Sequence, residues 1–271
     1  MPHTEPNWVN RLRKKVEHLR VAKEIFYYPK VDSTNAIARK MVHQDTANGT
    51  VVISSVQTAG RGRLGRDWES PQGGTWLSIV LYPPYHATNL SIITIAVAVA
   101  VARTIEKELG IEAEIKWPND ILVEGAKVCG ILSELLSGPS GWAIIIGVGI
   151  NLNIEPKDLP TPGTYPAGSL KALLGREISE ERFMVAFFRN LNESYSDFLR
   201  GDQGRKRLLE RWRKHAEMLG HRIIMQLGDE QLEGVAKDID ERGYLVVEAP
   251  DGKITHIMAG DVIKIGVIRE S

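Results

Sequence analysis

The chain has 271 residues, 43% of them hydrophobic and 25% charged, the balance of a globular protein able to bury a sizeable core. Its 34 basic residues equal its 34 acidic ones, so no global field holds a polyanion and any anion site has to be local. The single cysteine excludes an internal disulfide, the seven histidines lack metal-ligand spacing, and the longest apolar run, residues 90–102, is shorter than the ~20 residues that cross a bilayer. A reducing, cytoplasmic setting without a membrane partner is expected.

Residues 1–22 carry Arg11, Arg13, Lys14, Lys15 and Arg20 with no apolar run behind them, so they read as a solvated basic helix face and not as a secretory signal. Asp32-Ser33 precedes a helix over 34–42, with Ile37, Met41 and Val42 on one face and Asp32 or Ser33 able to cap its start. Residues 51–57 and 76–82 read as strands around a loop rich in glycine and arginine, and residues 90–109 as a buried helix closed by Gly110. Strands follow over 113–117, 127–136 and 142–150. The turns Glu124-Gly125 and 138–141 between them are short enough to make neighbours antiparallel. Residues 179–199 repeat Phe183, Phe187, Leu191, Tyr195 and Phe198 at helical spacing, and 205–219 form a basic amphipathic helix ending at Gly220. Beyond His221 four or five short β-rich runs are split by turn signals. The organisation is α+β, with one domain over 23–219 and a small all-β domain over 220–271.

The run Gln57-Thr58-Ala59-Gly60-Arg61-Gly62-Arg63-Leu64-Gly65-Arg66-Asp67-Trp68 contains a formal GxGxxG, but Glu69-Ser70-Pro71-Gln72-Gly73-Gly74 cannot open the helix a dinucleotide fold needs. No GxxxxGK[ST] occurs either. What remains is a loop whose glycines let backbone approach a ligand and whose Arg61, Arg63 and Arg66 suit oxyanions; a solvated basic turn or an RNA-touching element is the alternative. Lys127, in an apolar strand, either faces solvent across a half-buried sheet or is a fixed ammonium aimed at a phosphate. Asn151 suits a ligand edge or a buried turn amide.

Five motifs occur in order: DSTN (32–35), GRGRLGRDW (60–68), KWPND (116–120), KVCGILSE (127–134) and GVGINL (147–152). Together with a small C-terminal β domain they resemble biotin protein ligase over most of residues 26–264. The resemblance implies a mixed, largely antiparallel sheet with helices, a Src-homology-3-like C-terminal barrel, and ATP, Mg2+ and biotin as ligands. It implies biotin binding by Ser33, Thr34, Asn35, Gln57, Gly60, Arg61, Arg63, Lys127 and Gly130. ATP and adenylate binding would fall to Arg61, Arg63, Arg66, Trp68, Lys116, Asn119, Lys127 and Asn151, with Lys127, Arg63 and Asp120 as the catalytic set and no assigned metal ligands. The implied acceptor is a biotin carboxyl carrier domain of acetyl-CoA carboxylase, and relatives form homodimers. Some members repress transcription through an N-terminal domain, but the ~20 residues before Phe26 are too few for a winged helix, so no sequence-specific DNA binding is expected. A lipoate or octanoyl ligase, or a ligand-binding protein without turnover, are the rival readings.

Overall fold

The computed structural model describes residues 5–84, 90–159 and 165–266. The chain runs α1 (Asn7–Val16), β1 (Glu24–Tyr28), α2 (Thr34–His43), β2 (Thr50–Ser54), β3 (Thr75–Leu81) and α3 (Leu90–Leu109). Four strands follow, β4 (Glu114–Lys116), β5 (Asp120–Val123), β6 (Ala126–Gly138) and β7 (Gly141–Ile150), then α4 (Leu170–Leu174), α5 (Glu180–Leu199) and α6 (Gly201–His215). Strands β8 (Arg222–Leu227), β9 (Glu230–Ile239), β10 (Leu245–Glu248), β11 (Ile254–Ile257) and β12 (Asp261–Gly266) complete the description.

Strands β1 to β7 form one sheet in the order β1-β2-β3-β7-β6-β5-β4, parallel at β1–β2 and antiparallel at the other described pairings. Both faces are covered, which is why β2, β3 and β7 read as nearly continuous apolar runs. The period of two shows in β7: Ile144, Ile146, Val148 and Ile150 enter the main core, while Ala143 and Ile145 pack with Ala38 and Val42 of α2 on the other face. Helix α3 buries twelve residues, because it is enclosed between the sheet and α5. No helix among the described residues is long and apolar enough to cross a membrane.

The expected α+β architecture is present, with local departures. Strand β5 lies outside the strands expected from the sequence: Trp117-Pro118-Asn119 turns β4 back into β5, and Glu124-Gly125 joins β5 to β6 with φ of 50° and 73°, the left-handed pair a two-residue hairpin turn needs. A four-residue strand flanked by two tight turns offers too few residues for a period to show. Ser33 occupies the N-cap position of α2 but makes no capping hydrogen bond through its side chain, and Asp32 accepts instead from the Thr58 hydroxyl at 3.0 Å. Helix α1 buries Val9, Leu12 and Val16 in the main core, and three of its basic residues are paired, Arg11 and Lys15 with Glu181 and Arg13 with Glu5.

Asp197 near the end of α5 is 2% exposed and accepts from Arg207 (2.8 Å), Arg211 (2.9 Å) and Arg200 (3.3 Å), tying α5 to α6 where Gly204 lies against its carbonyl. Asp197→Ala leaves three guanidiniums around an emptied site. Because those arginines are partly solvated, a loss of about 2–3 kcal/mol is expected, below the ~3–5 kcal/mol of a fully buried pair. Urea denaturation reads it as a lower midpoint at unchanged slope.

The last five strands form a second antiparallel sheet, β11-β10-β9-β8-β12. Its Ile223, Met225, Leu245, Val247 and Val262 join the same continuous core, and the Trp117 indole donates to the Gly243 carbonyl at 3.2 Å. The start of β12 is thereby held over the large sheet.

Candidate active site

A cavity of about 290 Å³ opens between the C-terminal half of the large sheet, the loop over 60–69 and the start of β12. Ser33, Thr34, Asn35, Gln57, Arg61, Arg63, Arg66, Trp68, Lys116, Asn119, Asp120, Lys127, Gly130 and Asn151 all line it. Gly60 lies beside it: its backbone bonds Trp68, and a Cβ there would meet the Trp68 carbonyl at 2.3 Å.

One end is polar and neutral. The Thr34 backbone N–H and hydroxyl donate to Gln57 Oε1 at 2.8 and 3.1 Å, and Gln57 Nε2 donates to Ser70 Oγ at 2.8 Å. The Ser78 hydroxyl lies 2.5 Å from Asn35 Oδ1 and 2.7 Å from Thr34 Oγ1. Leu77, Ile131, Leu132 and Val148 line the cavity as its apolar part. A few fixed polar groups on an apolar wall are what a mostly apolar ligand with a polar head requires.

The other end is cationic. The ammonium of Lys127 lies 2.7 Å from Asp120 Oδ1 and 5.0 Å from the centroid of the Trp68 ring. Its backbone is gripped on both sides, Lys127 N–H donating to the Pro166 carbonyl and Gly168 N–H to the Lys127 carbonyl, so the side chain starts from a fixed base. Lys127 is thus neither a freely solvated strand lysine nor a core residue. Lys116 is 7% exposed, sits 3.7 Å from Asp120 Oδ2 and lies over the Tyr165 ring at 4.2 Å. Burial pushes its pKa below the usual lysine value, outweighing the Asp120 carboxylate that favours the charged form. Two ammoniums therefore share one carboxylate.

The three loop arginines divide their work. Arg63 crosses to the second sheet, donating to Asp261 Oδ1 at 2.9 Å, to the Gly260 carbonyl at 3.3 Å and to Asn119 Oδ1 at 3.2 Å. Arg66 meets the other Asp261 oxygen at 2.7 Å, whereas Arg61 pairs with exposed Asp67 on the rim. Trp68 lies on a floor made by two glycines paired across β6 and β7: a Cβ on Gly130 would stand 2.8 Å, and one on Gly149 2.5 Å, from the indole. The indole N–H of Trp68 and the Oδ1 of Asn151 are buried without a protein partner, while Asn151 Nδ2 donates to the Gly168 carbonyl at 2.8 Å. Two unmet buried groups in one cavity point to a ligand that supplies an acceptor and a donor.

Residues 27–151 match the model of the biotin/lipoate A/B protein ligase family, and residues 218–264 match that of the biotin protein ligase C terminal domain. Over 244 residues the chain is 32% identical to the bifunctional ligase/repressor BirA of Bacillus subtilis, an alignment covering 89% of this chain and 74% of that protein. The chain belongs to the biotin/lipoate A/B protein ligase family. Another ligase of the family, biotin--[acetyl-CoA-carboxylase] ligase of Paracoccus denitrificans, is 32% identical over 231 residues, 83% of this chain and 94% of that one. The fold matches a biotin protein ligase from Aquifex aeolicus in complex with biotin and ATP, with a TM-score of 0.75 and 26% identity over 88% of this chain and 97% of that one.

Of the residues lining this ligase-family site, Tyr165, Asp261, Gly147 and Gly149 have no role assigned from sequence, and neither do Ser78 and Glu134 beside it. A signal existed for Gly147 and Gly149, which alternate in GVGINL so that one face of β7 is bare. None existed for Asp261 and Tyr165, which reach the cavity from distant parts of the chain. Cys129 is a core residue whose burial pushes its thiol pKa up, so it carries no thiolate chemistry.

Proposed function

We propose that the protein is a biotin protein ligase, which joins biotin to ATP as biotinyl-adenylate and transfers the biotinoyl group to a lysine of a biotin carboxyl carrier domain. The observation that carries the reading is the single cavity with a hydrogen-bonded neutral end and a lysine-rich end, roofed by an arginine loop. The neutral end suits the ureido head of biotin, and the apolar wall suits its rings and chain.

In the first step a biotin carboxylate oxygen bonds to the α-phosphorus of ATP while the bond to the leaving pyrophosphate breaks. Lys127, Arg63 and Arg66 offset the negative charge that gathers there, so catalysis is mainly positioning and charge compensation. Asn151 Oδ1 is the acceptor for the adenine amino group, with Trp68 and Asn119 beside it. In the second step the neutral acceptor amine attacks the acyl carbon, the bond from that carbon to the phosphate oxygen breaks to release AMP, and the amine proton passes to solvent; Asp120 orients that amine. The loop over 60–69 keeps water from the mixed anhydride between the steps. Among the described residues no cluster of three His, Cys, Asp or Glu could cage a metal ion. Asp120 and Asp261 are each already paired with two cationic side chains, so Mg2+ entering as the companion of ATP would be held chiefly by the substrate phosphates. When bound it supplies charge neutralisation. The reading sets the reaction in the cytoplasm.

Two expected results concern the nucleotide end. Gly149→Ala has no strained backbone to overcome but drives a methyl into the Trp68 indole, and such overpacking costs about 1–3 kcal/mol. The KM for ATP is expected to rise about tenfold with the circular dichroism spectrum unchanged. Lys116, with its lowered pKa, gives up its proton earlier than an ordinary lysine as pH rises, so part of the cavity's positive charge is lost on the alkaline side. Lys116→Arg keeps that charge and is expected to extend ATP binding to higher pH, measured as KM for ATP across the alkaline range.

Exchange of labelled pyrophosphate into ATP tests the function. Exchange that requires biotin, and that lipoate does not support, is expected. Exchange with lipoate alone would move the chain to the sister chemistry, and none with either would leave a binding protein.

A further inference from the structure

Glu134 of β6 and Arg39 of α2 do not line the cavity, yet they end a hydrogen-bond chain that does. Arg39 donates to Glu134 Oε1 at 2.7 Å, and Asn35 Nδ2 donates to Glu134 Oε2 at 2.6 Å. A carboxylate only accepts, so it fixes the amino side of the Asn35 amide and turns Oδ1 toward Ser78, which is fully buried. At the far end the Thr34 backbone N–H fixes Gln57 Oε1, and with it Gln57 Nε2 as a donor. Both amides are thus pinned, one by an anion and one by a main-chain donor. The bare Gly147 on β7 adds a steric limit, since a Cβ there would stand 2.5 Å from Asn35 Oδ1.

We infer that Glu134, held by Arg39, is a positioning residue that locks the Asn35 amide and so gives the polar end of the cavity one fixed pattern of donors and acceptors, selecting a urea-like head. The inference rests on the biotin ligase reading. A urea offers two N–H donors and one carbonyl acceptor, so an amide free to flip presents the wrong pattern part of the time. A dithiolane head has no such demand.

In Glu134→Gln the new amide can accept from or donate to Asn35, and the lock is lost. The KM for biotin is expected to rise about tenfold with kcat within about twofold, the mark of lost uniform binding, and the KM for ATP unchanged. Asn35→Asp sets two carboxylates face to face and is expected to cost about a hundredfold in KM for biotin. The double variant E134Q/N35D restores the chain with reversed polarity. The introduced amide accepts from Arg39 and donates to the introduced carboxylate, whose other oxygen still accepts from Ser78. Its KM for biotin is expected to lie about tenfold below that of Asn35→Asp alone, short of the parent because the Asn35 amide donor is gone, since coupled residues depart from additivity. A parental KM in Glu134→Gln, or losses that add in the double variant, would overturn the inference. The thermal midpoint of each variant identifies a loss that is only unfolding, and a Glu134→Gln whose KM rises only through unfolding also overturns it. A parent protein without biotin-dependent turnover would instead remove the reading beneath it.

Discussion

Lys127→Met is expected to slow biotinyl-adenylate formation by about 10²–10³-fold at saturating biotin and ATP, the size of effect when one preorganised donor is removed from where charge develops. The side chain is prepared for that role. Its backbone is held by the loop over 166–168, its ammonium by Asp120 at 2.7 Å and by the Trp68 ring, so no reorganisation is needed when the α-phosphoryl group gains charge. Methionine keeps the apolar stem and removes only the charge. Single-turnover pyrophosphate release measures the step, and biotin affinity measured separately is expected to change far less, because the charge develops in the transition state. A rate within a few-fold of the parent would reduce Lys127 to a structural counter-ion of Asp120.

Asp120→Ala is expected to slow transfer from preformed biotinyl-adenylate to the acceptor by about 10²-fold. Supplying the adenylate bypasses the first step, which matters because Asp120 also anchors Lys127. A carboxylate already shared by two ammoniums, Lys127 at 2.7 Å and Lys116 at 3.7 Å, suits orienting the incoming amine better than accepting its proton. The pH profile separates these roles. Below its ordinary pKa of ~10.4, the neutral fraction of an acceptor lysine grows about tenfold for each unit that the pH rises, so transfer rises with pH. If Asp120 orients, the variant keeps that slope at a lower rate; transfer at the parental rate would contradict any role in this step.

The parts of the fold with a long period were legible in the sequence. Helix α3 was bounded by Gly110 at its end, α5 by Ser179, whose hydroxyl accepts from the Arg182 N–H, and the aromatic stripe of α5 fell on its buried side. A strand as short as β5, with four residues, is not legible, and in α1 the basic helix face is legible while the buried face of Val9, Leu12 and Val16 is hidden among the basic side chains. The site divides in the same way. Residues inside the motifs, from Ser33 to Asn151, were nameable because glycine, arginine and lysine in tight local patterns have few structural uses. Asp261 was invisible because its meaning comes from Arg63 and Arg66, which lie far earlier in the chain. Ser78 looked like one more small residue in an apolar strand, and only the register that sets it against Asn35 shows its use.

The central claim is that one cavity performs both activation and transfer. It is tested most directly by incubating the protein with ATP, Mg2+, biotin and a biotin carboxyl carrier domain, and reading the intact mass of the carrier. One added biotinoyl group on one lysine, dependent on ATP and abolished in parallel with pyrophosphate release by Lys127→Met, is the expected result. An unmodified carrier in the presence of normal biotin-dependent pyrophosphate release would contradict the claim, leaving an enzyme that makes the adenylate but does not deliver it.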